Sequence, residues 1–229
     1  MSRPEAAAII VAAGQSRRMG GTDKIFASLG GKPVVSWSLL AFESCPAIKR
    51  IVLVLSSANL QRGKKLVGSL GLTKITGVCL GGERRQDSVR AGLNQVRGSE
   101  WVVIHDGARP FVTGWLIKDG LKAACETGAA VAAVPSRDTV KLANQDMVER
   151  TLDRNRIWLA QTPQVFRYDI LKRAYQTDTG EVTDDAALVE MLGINVKLYS
   201  GDYMNVKITT VEDLDIARIH ARQLVRESD

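Results

Sequence analysis

The chain reads as an α/β protein built on a mostly parallel, Rossmann-like doubly wound sheet, and three observations carry that reading. Short apolar runs of strand length recur along the sequence and alternate with helix-length amphipathic segments. Several of those runs, such as Ala8 to Ala12 and Arg50 to Leu55, are almost continuously apolar, as strands buried on both faces are. The first run enters a glycine-containing basic loop, Gly14 to Lys24, in the place where phosphate-binding turns sit at the carboxyl edge of such sheets.

Taken in order, the run Ala8 to Ala12 is the first strand. Pro33 to Ser44 opens with proline and carries Val34, Trp37, Leu40 and Ala41 at a helical period. Arg50 to Leu55 is a second buried strand, Leu60 to Leu70 a basic surface helix, and Ile75 to Leu80 a third strand. A second basic loop follows, Gly81-Gly82-Glu83-Arg84-Arg85, with Asp87 or Ser88 placed to cap a helix running through Gln95. Trp101 to His105 is a fourth strand that ends in Asp106-Gly107-Ala108-Arg109-Pro110. Leu116 to Glu126 reads as helix and Ala129 to Val134 as a fifth strand. On this topology the loops beginning at Gly14, Gly81 and Asp106 all leave strand ends, so they should meet in one crevice.

From Arg137 to Ile157 the period changes: Val140 and Leu142 alternate with polar residues, Asn144-Gln145-Asp146 can turn, and Met147 to Leu152 can return. A two-stranded hairpin is barely stable alone in water, which makes residues 137–157 an arm that should lean on a second subunit. Tyr168 to Gln176 and Asp184 to Leu192 then read as helices, Val196 to Tyr199 as a strand, and Asn205 to Ile208 as a possible further one. Thr210 to Leu224 closes as a helix, with Thr209 at capping-box distance from Glu212. No repeat or linker divides the chain, so residues 1–229 form one domain carrying an arm.

Composition narrows the function. With 229 residues, 45% of them hydrophobic, the chain can bury a substantial core. Its apolar runs fall well short of the roughly 18 residues a membrane span needs. Glu5 precedes the N-terminal run and Arg17-Arg18 follow it, the reverse of a signal peptide's charge order, so a cytoplasmic protein is expected. Cys45, Cys79 and Cys125 are widely spaced and odd in number, which argues against disulfides or zinc and for reduced core thiols. The net charge of +6 points to anionic partners. Because the basic residues gather in glycine-containing loops, without interleaved aromatics, a small polyphosphate fits better than nucleic acid.

The first loop is not a Walker loop, since five residues separate Gly14 from Gly20 and Gly21-Thr22 follows. Nor is it a dinucleotide fingerprint, because Ser16 and Met19 occupy the second and third glycine positions. It is a phosphate-facing loop of another type, with Arg17, Arg18 and Lys24 as its charge.

Eight blocks in register now stand together: AAGQSRRMG at Ala12 to Gly20, Lys24, GGERRQDSV at Gly81 to Val89, HDGARP at His105 to Pro110, TLDRN at Thr151 to Asn155, TPQ at Thr162 to Gln164, TDDA at Thr183 to Ala186, and NVKIT at Asn205 to Thr209. In this order they resemble the 2-C-methyl-D-erythritol 4-phosphate cytidylyltransferase family of the non-mevalonate isoprenoid pathway. Ser16 stands where that family usually has a second loop glycine, and Asp23 where it often has proline. Ribitol-5-phosphate cytidylyltransferases share most blocks and are the alternative; TDDA and NVKIT favour the former. A non-catalytic nucleotide-sensing module is a second alternative.

The resemblance implies transfer of CMP from CTP to a small polyol phosphate, assisted by Mg²⁺ or another hard divalent cation, in a homodimer. It implies that Arg18 and Lys24 stabilise the transition state while the backbone of Ala12, Ala13 and Gly14 holds the nucleotide. Gly81, Gly82 and Ser88 would line the cytosine pocket, with Asp106, Gly107 and Ala108 also on the nucleotide side. Asp106 would bind the metal and substrate hydroxyls. Arg109, Thr139, Arg154, Thr183 and Lys207 would hold the acceptor, with Arg154 and Lys207 counted among the catalytic groups. Arg154 lies at the foot of the arm and would act in the partner's site. Arg109 could instead pair with Asp106.

Overall fold

A computed structural model of the chain describes residues 5–14, 19, 23–177 and 180–226. A seven-stranded sheet forms its centre. Strands β1 (Ala6–Ala12), β4 (Ile48–Leu55), β5 (Ile75–Leu80) and β6 (Trp101–Asp106) run parallel, with β1 between β4 and β6. Beyond β6 lie β10 (Trp158–Arg167), antiparallel to both its neighbours, then β7 (Ala129–Pro135), and at the edge β11 (Lys197–Ser200), parallel to β7. All seven residues of β1 are buried, as its unbroken apolar run requires of a central strand covered on both sides.

The two faces of β1 enter separate cores. Ala8, Ile10 and Ala12 join α1 (Val34–Glu43) and α4 (Gly114–Thr127), with α2 (Leu60–Ser69) packed at the margin. Ala7, Ile9 and Val11 join α3 (Arg85–Gln95), α5 (Tyr168–Ala174) and α6 (Asp185–Glu190). A third cluster sets α7 (Val211–Arg226) against the short hairpin β2 (Ser28–Leu29) and β3 (Lys32–Pro33) and the start of α1. Helices therefore cover both faces, the doubly wound arrangement expected from the alternation of elements.

Strands β8 (Lys141–Asn144) and β9 (Met147–Thr151) pair only with each other in an antiparallel hairpin, and every residue of both is exposed. Their two-residue connection, Gln145 and Asp146, has positive φ at both positions, as a hairpin turn matching the strand twist needs.

Four expectations are corrected. The segment Asn205 to Ile208 forms no strand; the Ile208 N–H bonds to the Ala108 carbonyl at 2.9 Å, while the Asn205 carbonyl accepts from the Arg109 side chain and the Asn205 N–H donates to the Asp202 carbonyl. The α3 helix starts at Arg85, ahead of the expected caps: Asp87 accepts from the Arg84 N–H, and Ser88 Oγ accepts from the Gly82 N–H at 3.2 Å. At α7 the reciprocal pair is Thr210 with Asp213, one residue beyond the Thr209 and Glu212 spacing. The cysteines are free, but only Cys45 is buried; Cys79 is half-buried and Cys125 exposed.

Strand β10 is an element that periodicity does not disclose. Its centre, Gln161-Thr162-Pro163-Gln164, is buried yet polar, and the Thr162–Pro163 peptide is cis. No helix among the described residues is long and apolar enough to cross a membrane.

Candidate active site

Parallel strands β1, β5 and β6 end at the same edge of the sheet, and the loops that leave them enclose a hollow of about 180 Å³. Ala12, Ala13 and Gly14 form one wall; Gly82, Glu83, Arg84, Arg85 and Ser88 form another; Lys24, Asp106, Ala108 and Lys207 complete it. This is the crevice where strand order reverses on either side of β1, the usual ligand position in an open α/β sheet. A second hollow, of about 210 Å³, lies beside it, lined by Arg109, Gln161, Thr162, Gln164, Thr183 and Asp184 together with Arg85, Asp106 and Lys207. The last three residues belong to both.

The shared wall is dominated by charge. Asp106 carries Lys207 Nζ at 2.8 Å on Oδ2 and Arg85 Nε at 3.2 Å on Oδ1, with Arg109 Nε at 3.9 Å. Burial by itself would raise the Asp106 carboxyl. Arg85, Lys207 and Arg109 outweigh it in that order and hold the group far below the usual carboxylate range. Arg85 in turn reaches Asp185 Oδ2 at 2.7 Å, and the Tyr175 hydroxyl donates to the other oxygen of Asp185. Burial lowers Arg85, but Asp185 and Asp106 prevail and keep it firmly protonated. Burial and the adjacent Asp185 push the Tyr175 phenol well above its ordinary value.

Behind the wall a buried relay sets the loop that carries Asp106 and Arg109. The Arg109 carbonyl can only accept, so His105 Nε2 carries the proton in their 3.0 Å contact. The neutral ring then accepts at Nδ1 from the Thr162 hydroxyl at 3.0 Å, and Thr162 Oγ1 accepts from the Asp106 N–H at 3.0 Å. Burial pulls His105 down to about 4, in keeping with a neutral ring. Arg109 is held from the far side, donating Nη1 to the Asn205 carbonyl at 2.7 Å. The Asn205 side chain donates to the Thr162 carbonyl at 2.7 Å, and Gln161 ties down Asp202 through its main chain. These contacts engage the main chain at Asp202 and Asn205 and hold the segment that presents Lys207.

Gln164 performs a related task for the second hollow. Its amide donates to Asp184 Oδ2 at 2.8 Å and its carbonyl oxygen accepts from the Ala186 N–H at 3.2 Å. Asp184 itself caps α6 through the Ala187 N–H. Thr183 and Asp184 are thereby placed at the rim.

The family model for 2-C-methyl-D-erythritol 4-phosphate cytidylyltransferase, IspD, matches residues 6–223. The chain belongs to this family. It is an enzyme of the nucleotidyltransferase type, a cytidylyltransferase. It is 53% identical to the 2-C-methyl-D-erythritol 4-phosphate cytidylyltransferase of Dehalococcoides mccartyi, over 93% of this chain and 94% of that one. With the Shouchella clausii protein of the same name it shares 45% identity, over 92% and 93%. Its fold is similar to the crystal structure of 4-diphosphocytidyl-2C-methyl-D-erythritol synthase from Anaerococcus prevotii, with a TM-score of 0.85, 31% identity and 96% of each chain covered.

Within this cytidylyltransferase the sequence-derived residues sort by position. Ala12, Ala13, Gly14, Lys24, Gly82, Ser88, Asp106, Ala108 and Lys207 line the first hollow; Arg109 and Thr183 line the second. Gly81 and Gly107 line neither. A side chain at Gly81 would meet Ala13 Cβ and Ser88 Oγ, each at 2.5 Å, so this glycine lets the second loop close on the first. Arg154 and Thr139 are exposed at the root of the hairpin and line neither hollow of their own chain; Arg154 donates to the Arg137 carbonyl. Asp106 does pair with Arg109, but at longer range than with Lys207 or Arg85. Arg17 and Arg18 lie outside the described residues.

Arg85, Asp185, His105, Thr162 and Gln164 are the residues that motif reasoning left without a role. Arg85 was visible as loop charge, and Thr162 and Gln164 as part of a block. Nothing in a linear pattern joins Asp185 to a loop residue 100 positions earlier.

Proposed function

We propose that the two joined hollows carry the reaction of the family, CTP plus 2-C-methyl-D-erythritol 4-phosphate giving 4-diphosphocytidyl-2-C-methyl-D-erythritol and pyrophosphate. One observation supports this above the others: the crevice between the loops at Gly14 and Gly82 and a second hollow beside it share a wall of Arg85, Asp106 and Lys207. Two polyanions can approach one another only where cations face both. In this reading CTP occupies the first hollow, with the loops at Gly14 and Gly82 against the nucleotide, and the sugar phosphate enters the second.

The acceptor's phosphate monoester has a second pKa of about 6, so at neutral pH it is largely the dianion and attacks without a general base. An oxygen of that phosphate forms a bond to the α-phosphorus of CTP as the bond from that phosphorus to the bridging oxygen of pyrophosphate breaks. The only histidine near the site is neutral, buried behind the wall and already committed at both nitrogens, so it takes no part in proton transfer. What the chain supplies is orientation and charge: Lys24, and by resemblance Arg18, toward the triphosphate, Lys207 between the two phosphates, Arg109 and Thr183 toward the acceptor. Asp106 keeps Lys207 and Arg85 aligned until substrate phosphates share them.

A divalent cation fits this site in one way. Among the described residues no three His, Cys, Asp or Glu side chains cluster as a metal cage, but Asp106 offers an ionised carboxylate beside the nucleotide hollow. A hard ion such as Mg²⁺ takes one or two carboxylates and completes its shell with phosphate oxygens and water. Asp106 is the residue that would hold it, and the ion would neutralise charge on the triphosphate.

Thr139 and Arg154 enter this reading through a second copy. The hairpin of β8 and β9 projects Met147 and Val148, 74% and 59% exposed, with Trp158 and Leu159 also exposed near its base. Packing of that arm on a partner would bury this surface and carry Arg154 and Thr139 toward the partner's acceptor hollow. Mixing Arg154→Ala with Lys24→Ala protein should regenerate activity at one site per heterodimer. Mixtures as inactive as their components would remove the shared site.

The reaction itself is tested by pyrophosphate release from CTP and Mg²⁺ with each polyol phosphate in turn. Turnover with methylerythritol phosphate and little with ribitol 5-phosphate is expected. Preference for ribitol phosphate, or nucleotide binding without turnover, would overturn the proposal.

A further inference from the structure

Lys24 sits on a short segment whose two ends are fastened in different ways. Downstream, the Ile25 and Ala27 carbonyls accept from the Val35 and Val34 N–H groups at 3.1 and 3.0 Å, which locks the backbone to the start of α1. Ile25 and Phe26 are buried, and the Arg62 guanidinium of α2 lies over the Phe26 ring, 4.4 Å from its centre. Upstream, among the described residues, the Asp23 side chain is a fastening. Asp23 Oδ1 accepts from the Ile25 N–H at 3.0 Å, folding the backbone around Lys24, and Oδ2 accepts from the Asn59 amide at 2.5 Å. Asn59 stands at the turn that follows β4 and opens α2, and it lines neither hollow.

We infer that Asp23 and Asn59 form a clamp that positions Lys24 for the transferred phosphate, making both of them positioning residues for the reaction. The inference rests on the charge-stabilising role given to Lys24 above. The chemistry of the pair supports it. Asp23 is half-buried, and each of its oxygens receives a hydrogen bond, one from the backbone just past Lys24 and one from an element outside the site. A charged acceptor with neutral donors makes a stronger bond than a neutral pair. The lysine stem has four rotatable bonds and a compact ammonium, so its reach into the hollow depends on where its own backbone starts. Removing the Asp23 contacts loosens that origin while the downstream end stays on α1.

The test is steady-state kinetics of the full-length enzyme with CTP and methylerythritol phosphate, alongside thermal unfolding. Asp23→Ala should lower kcat by about 10- to 100-fold, the scale of an angstrom-sized misplacement of a catalytic group. KM for methylerythritol phosphate should stay within a few-fold. Asn59→Asp, which sets two carboxylates against each other, should show a similar loss, and adding Asp23→Asn to it should restore most of the rate by reversing the polarity of the bond. In a Lys24→Ala background, Asp23→Ala should have almost no further effect. Native kcat in Asp23→Ala, no rescue by the exchanged pair, or an undiminished loss in the Lys24→Ala background would overturn the clamp. Native turnover in Lys24→Ala alone would instead remove the role of Lys24, so the two failures are distinguishable.

Discussion

Asp106 is the residue on which the charges of both hollows converge, and its neighbours behave differently for reasons of distance and burial. Lys207, on the partly exposed side at 2.8 Å, is free to exchange its carboxylate for a substrate phosphate. Lys207→Ala should therefore raise KM for the sugar phosphate more than KM for CTP; equal changes in the two would contradict its place. Lys24→Ala should cost about 10²- to 10³-fold in turnover with unfolding temperature nearly unchanged, as loss of one preorganised charge-stabilising group does. Arg85 is different because it also neutralises Asp185, whose side chain is 1% exposed. Arg85→Ala leaves that carboxylate buried and unpaired, so a stability loss of about 3 kcal/mol should accompany the loss of activity in denaturant unfolding. His105 provides a pH signature. Its folded value of about 4 lies below the ordinary 6.5, so the unfolded chain binds the proton first as pH falls. Stability conferred by the neutral ring is complete above about pH 6.5 and is lost as pH falls toward 4, by up to about 3 kcal/mol. Unfolding curves between pH 4 and 7 should show this slope, and His105→Phe should flatten it.

At the scale of elements, most helices and parallel strands were legible because their signal is local. An apolar run of five or six residues between turn residues is a buried strand wherever it falls, as β4 and β7 show, and the helical period that opens at Pro33 gives α1. Strand β10 was not legible, because its interior reads Gln-Thr-Pro-Gln, a composition that signals a loop. Those polar groups are tolerated inside the sheet since each finds a distant partner: Gln161 at Asp202, Thr162 at His105, Gln164 at Asp184. The expectation of a strand at Asn205 to Ile208 failed as well; the Asn205 main chain is drawn into the same contacts. The hairpin was legible, turn included. Gln145 and Asp146, at φ of 46° and 65°, hold a conformation that Asn-Gly adopts more readily. Gln145→Asn with Asp146→Gly should slow amide exchange along β8 and β9, and unchanged exchange would show that something other than the turn limits the arm.

For the molecule as a whole, sequence determined the class of fold and the chemistry on offer. Alternating strand and helix periods require a sheet wound on both faces, and basic glycine-containing loops after three strands require an anion-binding edge. Eight blocks in order were enough to point to the family that the comparisons then showed. What only the tertiary structure decided is which charges share a wall. Arg85 reaches Asp106 and Asp185 across 21 and 100 residues of chain, and Asn59 reaches Asp23 across 36. Such pairings depend on strand order and on the antiparallel insertion of β10, neither of which leaves a periodic trace. Local propensity acts over a few residues, whereas the electrostatics of a site depend on distances in space, and folding alone converts one into the other.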